Sequence, residues 1–422
     1  MARDEAPLSS LSYPPGRVLS VVPPISFRFR FYPSPEQEPL LRRTIGCTRL
    51  VFNKALADRS AAWVNEKKSL SYVMQSAQLT TWKKTPELAF LNEVSCVPLQ
   101  QALRHVDQAF RNFFAKCTSY PAFKKKKCYG GSAEFTQRAF RYDAATQTLT
   151  LAKMSAPLDV RWSRPLPPGV LPTTVTVSLD AAGRWHVSLL CEDGRIVLPQ
   201  LPNAVGIDVG VTSLVTLSTG EKEPNPRHDE RLMARKKLLQ QRLARAQKGS
   251  KNREKTRRKL ARLNAHIADC RRDHLHKLST RRVRENQTIV VEDLSVKNMV
   301  SNRRLARVIY DAGWSALFRM LTYKSAWYGR DLVKIDRSHP SSKRCSCCGH
   351  VLDRLPLDVR YWTCPACGVE HDRDVNAARN ILAAGLAVTA CGPDVRQRIL
   401  WSMLQLGVKQ ENPSVKKGIS AL

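Results

Sequence analysis

The sequence predicts an α/β protein of several domains. Alternating apolar and polar residues, which are typical of half-buried strands, flank a helical block at 35–130 on both sides. From residue 204 onward, strand patterns and helix patterns take turns along the chain. Two Cys-x-x-Cys pairs then indicate a small metal-bound insert before the last predicted helix at 374–387.

Composition indicates a partner with a high negative charge. The 422 residues include 69 Lys and Arg against 36 Asp and Glu, which gives a net charge of +33. Nucleic acid is the polyanion that most readily offsets such a charge. Because 43% of the residues are hydrophobic, an ordinary value for packed cores, we expect a folded protein rather than a disordered one.

Cysteine usage and hydropathy predict where the protein works. The twelve cysteines do not form a regular disulfide framework, and the paired ones suggest metal thiolates, so we expect the reducing cytoplasm of a prokaryote. No apolar run approaches the ~20 residues that span a bilayer. The nearest run, at 18–25, is short and ends in two prolines. We therefore expect no membrane partner and no signal peptide. We also expect a monomer that is associated with the nucleoid.

The first elements are a leader and a strand. The prolines of residues 1–25 and their lack of periodicity predict disorder. In the segment 26–34 phenylalanines alternate with arginines, so a strand would bury one face and turn the arginines outward. These arginines are either phosphate contacts or ordinary edge-strand residues. The alternating residues are Phe27, Phe29 and Phe31 on one face, and Arg28 and Arg30 on the other.

The helical block at 35–130 has apolar residues at three-and-four spacing and ends in a basic run, "YPAFKKKKC". The lysines of this run are candidate nucleic-acid contacts, with a solvated loop as the alternative. Strands return at 131–200, where a turn at 180–183 joins two alternating runs into a hairpin. The pattern predicts a β domain that carries a helical insertion. The candidate lysines are Lys124, Lys125 and Lys126.

The second half of the sequence predicts a layered α/β fold. Helices at about 228–284 are basic and amphipathic, with a break at 248–252. Because acidic residues there are too few for alternating salt bridges, Arg257, Arg258 and Lys259 are candidate phosphate contacts. The other predicted elements are a strand hairpin at 204–218, strands at 287–292 and 331–336, a helix at 313–329, and a polar tail at 388–422.

Two cysteine pairs have the spacing of a zinc ribbon. Cys345 and Cys348 form one pair, Cys364 and Cys367 the other, and fifteen residues separate the pairs. A glycine follows each pair and would allow the tight turn that points two sulfurs at one ion. Four thiolates leave no open position for water, so the zinc would be structural. A redox function would explain one pair but not both, and Cys347 is expected to be a bystander.

Three carboxylates at the ends of predicted elements are candidate ligands for a hard cation. Asp208 lies in the first strand of the 204–218 hairpin, Glu292 ends an apolar strand, and Asp374 starts the last helix. Each alone could be a turn or cap residue. Together they match the carboxylate oxygens that Mg²⁺ prefers, and two such ions can assist phosphodiester cleavage. His371 and Asp372 are the alternatives to Asp374.

Several motifs in order along the chain resemble those of the TnpB family, the transposon-associated RNA-guided nucleases related to type V CRISPR effectors. The likeness extends from about residue 27 to residue 386, and the motifs are long and mutually ordered. The resembling stretches are "FRFYPSPEQEPLL", "GCTRLVFN", "YPAFKKKK", "GIDVGVTSLVTLSTG", "VVEDLSVKNMVSNRRLAR", "DAGWSALFRMLTYKSAWYGR", "SSKRCSCCG" and "CPACGVEHDRDVNAARNI".

The resemblance implies a RuvC-like nuclease domain of the RNase H type at 204–387, with a zinc ribbon inserted at 342–370. Asp208, Glu292 and Asp374 match the family's catalytic acids, which hold Mg²⁺. The zinc ribbon would then be the folded insert that delivers the last acid to the site. The expected activity is RNA-guided cleavage of DNA; a DNA-binding protein that does not cut and a transposase-type accessory protein are the alternatives.

The resemblance also implies the other domains and the partners. A wedge-like β-barrel domain would comprise 26–34 and 131–200, with a helical recognition domain at 35–130. The partners would be a guide RNA from the transposon end and a double-stranded DNA target. The sequence departs from the family pattern in its leader and at four residues that concern local substrate contacts. These residues are Val308, Tyr310, Ser338 and His339.

Overall fold

The computed structural model describes residues 25–125, 130–167, 169–192, 197–356 and 358–390. The predicted leader up to residue 24, the candidate Lys126 and the chain from residue 391 lie outside the described residues. The chain divides into two compact units, Met1–Gly194 and Arg195–Leu422. Each unit has its own β-sheet.

The first unit contains an antiparallel five-stranded sheet in the order β2-β6-β7-β1-β5 and a separate pair, β3-β4. Phe27, Phe29 and Phe31 are buried, whereas Arg28 is exposed, so the predicted alternation is present in the first strand. The strands are β1 (Ile25–Tyr32), β2 (Gly131–Thr136), β3 (Phe140–Asp143), β4 (Thr148–Leu151), β5 (Asp159–Arg161), β6 (Pro172–Leu179) and β7 (Trp185–Cys191).

This sheet differs from the predicted barrel. Among the described strands, no ladder joins the edge strands β2 and β5, so the sheet is open. The reason is local: a 3₁₀ turn at Gln137–Ala139 ends β2, and the chain continues into β3, which pairs with β4 instead. The predicted turn between β6 and β7 is present, with Gly183 at φ 79° and the Asp180 carboxylate accepting from the Ala182 N–H.

The helices between β1 and β2 have a core of their own. Leu99, Leu103, Val106 and Phe110 lie on the buried stripe of the last helix, at the three-and-four spacing of an amphipathic helix. The elements are α1 (Gln37–Glu66), α2 (Tyr72–Trp82), a 3₁₀ helix (Pro86–Glu93) and α3 (Cys96–Phe114).

The second unit contains a mixed sheet in the order β10-β9-β8-β11-β12. The strands β8, β11 and β12 are parallel, whereas β9 and β10 continue the sheet as antiparallel strands. The strands are β8 (Ala204–Asp208), β9 (Ser213–Leu217), β10 (Lys222–Pro224), β11 (Thr288–Glu292) and β12 (Asp331–Ile335).

Helices cover both faces of this sheet. Ile289 and Val291 pack into one core with residues of the sixth and ninth helices, and Val290 packs into a second core with Ile381 of the tenth. None of the described helices is both long and apolar enough to cross a membrane. The helices are α4 (His228–Arg231), α5 (Met233–Arg245), α6 (Lys251–Glu285), α7 (Val296–Met299), α8 (Arg303–Ala312), α9 (Trp314–Tyr328) and α10 (Arg373–Ala390).

One helix end matches its predicted position and another does not. Ser250 caps α6 by accepting from the Arg253 N–H, at the predicted break between the basic helices. The last helix, α10, continues to Ala390 among the described residues, three residues into the predicted polar tail, because neither Gly nor Pro occurs at 388–390.

Candidate active site and cysteine cluster

Asp208 and Glu292 lie side by side at one edge of the sheet. Ile207 of β8 pairs with Val291 of β11, and the two strands run parallel. The next residue along each strand is a carboxylate, so the strand register itself brings both carboxyl groups to the same edge. Both side chains are half-buried.

The helix α10 brings Asp374 to this edge. It crosses the sheet closely because two glycines leave no side chain in the contact. A Cβ on Gly206 of β8 would lie 2.2 Å from the Ala378 carbonyl oxygen, and one on Gly385 of α10 would lie 2.3 Å from Val290 Cγ1. Asp374 is in the first turn of this helix.

The three carboxylates influence one another electrostatically. Burial, followed by the charges of Asp374 and Glu292, raises the pKa of Asp208 to about 7. Burial also raises the pKa of Glu292, with an additional contribution from Asp336. A raised pKa of this kind is what burial and nearby like charges produce at a carboxyl group.

Asp336 is a fourth carboxylate at this edge and is not among the predicted ligands. Ile335 of β12 pairs with Glu292, and Asp336 follows it at the same sheet edge. The side chain is exposed, and hydrogen bonds from the hydroxyl and the N–H of Ser338 lower its pKa. It therefore stays ionised near Glu292. Its position after an apolar strand, the same signal that marked Glu292, could have revealed it.

The two alternatives to Asp374 have other partners. The carboxylate of Asp372 accepts from the N–H groups of Asp374 and Val375 at 3.1 Å, and lies 2.6 Å from Lys222 Nζ. It thus caps α10 and forms an ion pair. The buried His371 places Nε2 3.0 Å from Cys345 Sγ. Asp374 itself has a longer contact, 3.5 Å, with Arg360.

The four predicted cysteines converge. Cys345, Cys348, Cys364 and Cys367 are, among the described residues, the one group of three or more potential metal ligands whose atoms all lie within 4.8 Å. The three carboxylates are spread more widely. Cys345 and Cys367 have their sulfurs 3.7 Å apart, and Cys348 and Cys364 have theirs 3.6 Å apart. Sulfurs about 2.3 Å from a zinc ion would form a tetrahedron with edges of about 3.8 Å, so the set fits zinc.

Tight turns shape both cysteine knuckles. Gly349 at φ 80° and Gly368 at φ 70° each donate their N–H to the carbonyl of the first cysteine of the pair. Strand β13 (Tyr361–Thr363) precedes the second knuckle and pairs with β14 (Glu370–Asp372), which follows that knuckle and leads into α10. Cys347 is exposed and lies outside the group.

Two asparagines of α10 hold the first knuckle. The buried Asn376 accepts from the Ser346 N–H at 2.9 Å and donates to the Arg344 carbonyl at 2.7 Å. One turn later, the buried Asn380 donates to the carbonyls of Ser341 and Arg344 at 2.8 and 2.6 Å. Neither residue is among the predicted site residues, although two amides spaced by four on an otherwise apolar helix face are a recognisable signal.

The predicted nucleic-acid contacts have different environments. On α6, Arg257 and Arg258 both form ion pairs with Glu254, and the Arg258 contact is 3.1 Å long. Lys259 is exposed. The same helix contains the pairs Asp269–Arg272 and Asp273–Lys277. The segment 231–284 has three acids for twenty Lys and Arg, so these local i,i+3 and i,i+4 pairs leave the predicted excess of cations in place.

The candidates of the first unit also differ from one another. Arg28 and Lys125 are exposed. Arg30 is half-buried with its guanidinium 5.5 Å from the Tyr32 ring centre. Lys124 Nζ lies 3.9 Å from the Phe52 ring centre, and burial lowers its pKa. Of these four candidates, Arg30 is the least exposed.

Three family models match the chain. The model OrfB_IS605, described as "Probable transposase", matches residues 190–303. The model "Cas12f1-like, TNB domain" matches residues 314–381, which contain α9, β12 and the cysteine cluster. A model described as "Helix-turn-helix domain" matches residues 25–68, which here form a strand, β1, and one continuous helix, α1.

Curated relatives match most of the chain. A protein of Streptomyces pristinaespiralis named "Putative RNA-guided DNA endonuclease" is 59% identical over 94% of this chain and 98% of its own length. "Putative RNA-guided DNA endonuclease InsQ" of Escherichia coli (strain K12) is 35% identical over 88% of this chain and 94% of its own. A solved Cas12f1 chain, in a complex with sgRNA and target DNA, shares the fold at a TM-score of 0.54 and 15% identity, over 82% of this chain and 83% of that one.

Proposed function

Because the chain belongs to the TnpB family of transposon-encoded proteins related to type V CRISPR effectors, we propose that it is an RNA-guided DNA endonuclease. Asp208, Glu292 and Asp374 would be its catalytic acids. The observation that carries this assignment is the strand register that places Asp208 and Glu292 side by side at one sheet edge. The raised pKa of Asp208 supports it, because the charges of Asp374 and Glu292 are among its causes. Two acids that are distant in sequence from Asp208 are thus close enough to raise its pKa.

The sheet topology supports a RuvC-like domain of the RNase H type at 204–387. Three parallel strands with an antiparallel extension, β10-β9-β8-β11-β12, are crossed by a helix that brings the last acid. The wedge-like domain would comprise 26–34 and 131–200, as an open sheet, and the recognition domain 35–130. In this arrangement base pairing with the RNA would select the DNA sequence.

Asp208, Glu292 and Asp374 would hold Mg²⁺, which supplies activation of water and stabilisation of the leaving oxygen when bound. The site fits such a cation because its carboxylates repel one another, as the raised pKa of Asp208 indicates. The residues themselves orient the site: the strand register fixes Asp208 and Glu292, and α10 fixes Asp374. Asp336 adds negative charge at the same edge.

The defining test combines RNA and metal dependence. Protein purified with its transposon-end RNA should cut duplex DNA that matches the guide in Mg²⁺ and should stop cutting in EDTA. DNA without the match should remain intact, and RNA-free protein should be inactive. Full activity after complete removal of RNA would contradict guidance, and joined rather than free DNA ends would indicate strand transfer instead of hydrolysis.

We also propose that the four-cysteine cluster binds one structural zinc ion. Cys364→Ser removes a buried ligand, so bound zinc should fall from about one ion per chain to essentially none, because three thiolates lose the closed tetrahedral shell. Elemental analysis of the purified protein measures this directly. Cys347→Ser, at the exposed bystander, is the matched control and should retain zinc. Equal zinc content in the two variants would contradict the assignment.

A further inference from the structure

Four aromatic rings form a surface at the end of α3, which we call the aromatic platform: Phe110, Phe113, Phe114 and Tyr120. Each ring contacts two others, with centroids 5.3–6.3 Å apart. Phe110 is buried at 6% exposure and anchors the platform, whereas Phe114 is 72% and Tyr120 50% exposed. Single exposed aromatic residues are ordinary, but rings in mutual contact form a contiguous apolar patch, and such patches mark interaction sites.

The platform is held in place from α1. The Arg59 guanidinium lies 4.5 Å from the Phe110 ring centre, and Ser60 Oγ lies 2.8 Å from the Tyr120 hydroxyl. The chain turns back after α3 because Lys116 adopts a left-handed conformation at φ 56°. The Asn112 carbonyl accepts from the N–H groups that follow this turn, those of Cys117 and Thr118. The exposed rings are therefore preorganised, which lowers the entropic cost of binding.

The charge around the platform favours a polyanion. The sequence from residue 108 to residue 133 contains six Lys or Arg and no Asp or Glu. Arg111, on the platform helix, has a 73% exposed side chain but forms an ion pair with Asp107 at 2.9 Å, so the excess positive charge comes from the lysines that follow α3. At the start of the basic run, Asn53 exchanges two hydrogen bonds with the backbone of Lys124, at 2.8 and 2.9 Å, which fixes where the run begins. A second copy of this surface would be repelled by the same cations.

Exposed rings among cations fit unpaired nucleotides, because bases in a duplex are already stacked on their neighbours. The Ser60 and Tyr120 hydroxyls at the platform can hydrogen-bond a ribose 2′-hydroxyl, which distinguishes RNA from DNA. We propose that the aromatic platform stacks an unpaired base of RNA. This inference rests on the proposed function only in that RNA is the partner; it requires no cleavage.

The test measures binding by the full-length, RNA-stripped protein to a short unstructured RNA that contains 2-aminopurine, whose fluorescence is quenched by stacking. Phe114→Ala should weaken binding about tenfold and relieve the quenching, because it removes the most exposed ring. The salt dependence of binding should stay unchanged, since no phosphate contact is lost. Phe114→Trp should restore both affinity and quenching.

The controls separate this proposal from its competitors. Val73→Ala, at a 74% exposed apolar residue of α2, should bind like the wild type. DNA of the same sequence should bind more weakly than RNA, and Tyr120→Phe should reduce that difference. Equal binding of RNA and DNA by the wild type, unchanged quenching in Phe114→Ala, or self-association that Phe114→Ala abolishes would each overturn the proposal. RNA binding is scored without DNA cleavage, so failure of the nuclease assignment would be seen separately.

Discussion

Replacing Asp208 by Asn is expected to abolish DNA cleavage and to stabilise the metal-free protein. Loss of a metal-binding carboxylate should reduce the rate by about 1,000-fold or more, because stabilisation by the bound cations contributes several kcal/mol. Stability should increase because the substitution removes a buried charge that Asp374 and Glu292 repel. A variant that is both inactive and more stable is typical of active-site residues.

The pH dependence of this stabilisation has a definite sign. Burial first, and then Asp374 and Glu292, raise the pKa of Asp208 from 3.8 to about 7, so the folded protein holds a proton there that the unfolded chain releases. The contribution of Asp208 to stability is therefore greatest below about pH 4 and declines as the pH rises to about 7. The advantage of Asp208→Asn should grow over this range to on the order of 4 kcal/mol.

Thermal unfolding in EDTA at pH 5 and pH 8 measures this difference. Asp208→Asn should exceed the wild type mainly at pH 8, and Mg²⁺ should stabilise the wild type but not the variant. Asp353→Asn, at an exposed acid of the same unit, is the matched control and should change neither stability nor cleavage. A variant that still cuts, or that unfolds earlier than the wild type at pH 8 in EDTA, would contradict the assignment of Asp208.

Adding one methyl group at Gly206 is expected to separate Asp374 from its partners. The new Cβ would lie 2.2 Å from the Ala378 carbonyl oxygen and 2.7 Å from the Leu382 nitrogen, both of which are backbone atoms. The helix α10 must therefore move. We expect a loss of about 1–3 kcal/mol in stability from overpacking. Cleavage should fall about 100-fold, because a displacement near 1 Å misaligns the site.

Gly46→Ala is the matched control, since a Cβ on that glycine of α1 would meet nothing within 4 Å. It should preserve activity and leave stability equal or slightly higher, because alanine favours a helix. Cleavage rates at saturating Mg²⁺ and thermal unfolding of both variants provide the comparison. Wild-type cleavage by Gly206→Ala would show that the close approach of α10 does not position Asp374.

Local patterns in the sequence predict the elements that supply the candidate site. The strand before Glu292, the hairpin that contains Asp208 and the helix that begins near Asp374 are all found in the structure. The cysteine spacing likewise predicts the four sulfurs that converge. These signals are visible because strand alternation, apolar runs and paired cysteines depend on neighbours along the chain.

Other features depend on contacts between distant segments and were not predicted. Asp336 gains its importance from the pairing of β12 with β11, and Gly206 from a helix that follows much later in the chain. Asn376 and Asn380 matter because their side chains hydrogen-bond the Arg344 carbonyl at the first knuckle, which precedes them by 32 and 36 residues. The barrel prediction was wrong because the choice of strand partners is also a long-range property, which alternation alone does not specify.

The attachment of α10 to the first cysteine knuckle has a consequence for protein synthesis. Asp374 follows both cysteine pairs, and the asparagines that anchor its helix follow it in turn. A ribosome therefore makes the sheet with Asp208 and Glu292 before the chain contains the third acid. Translation must pass both knuckles and reach the start of α10 before the nascent polypeptide contains all three acids. A product that terminates before this point therefore lacks Asp374.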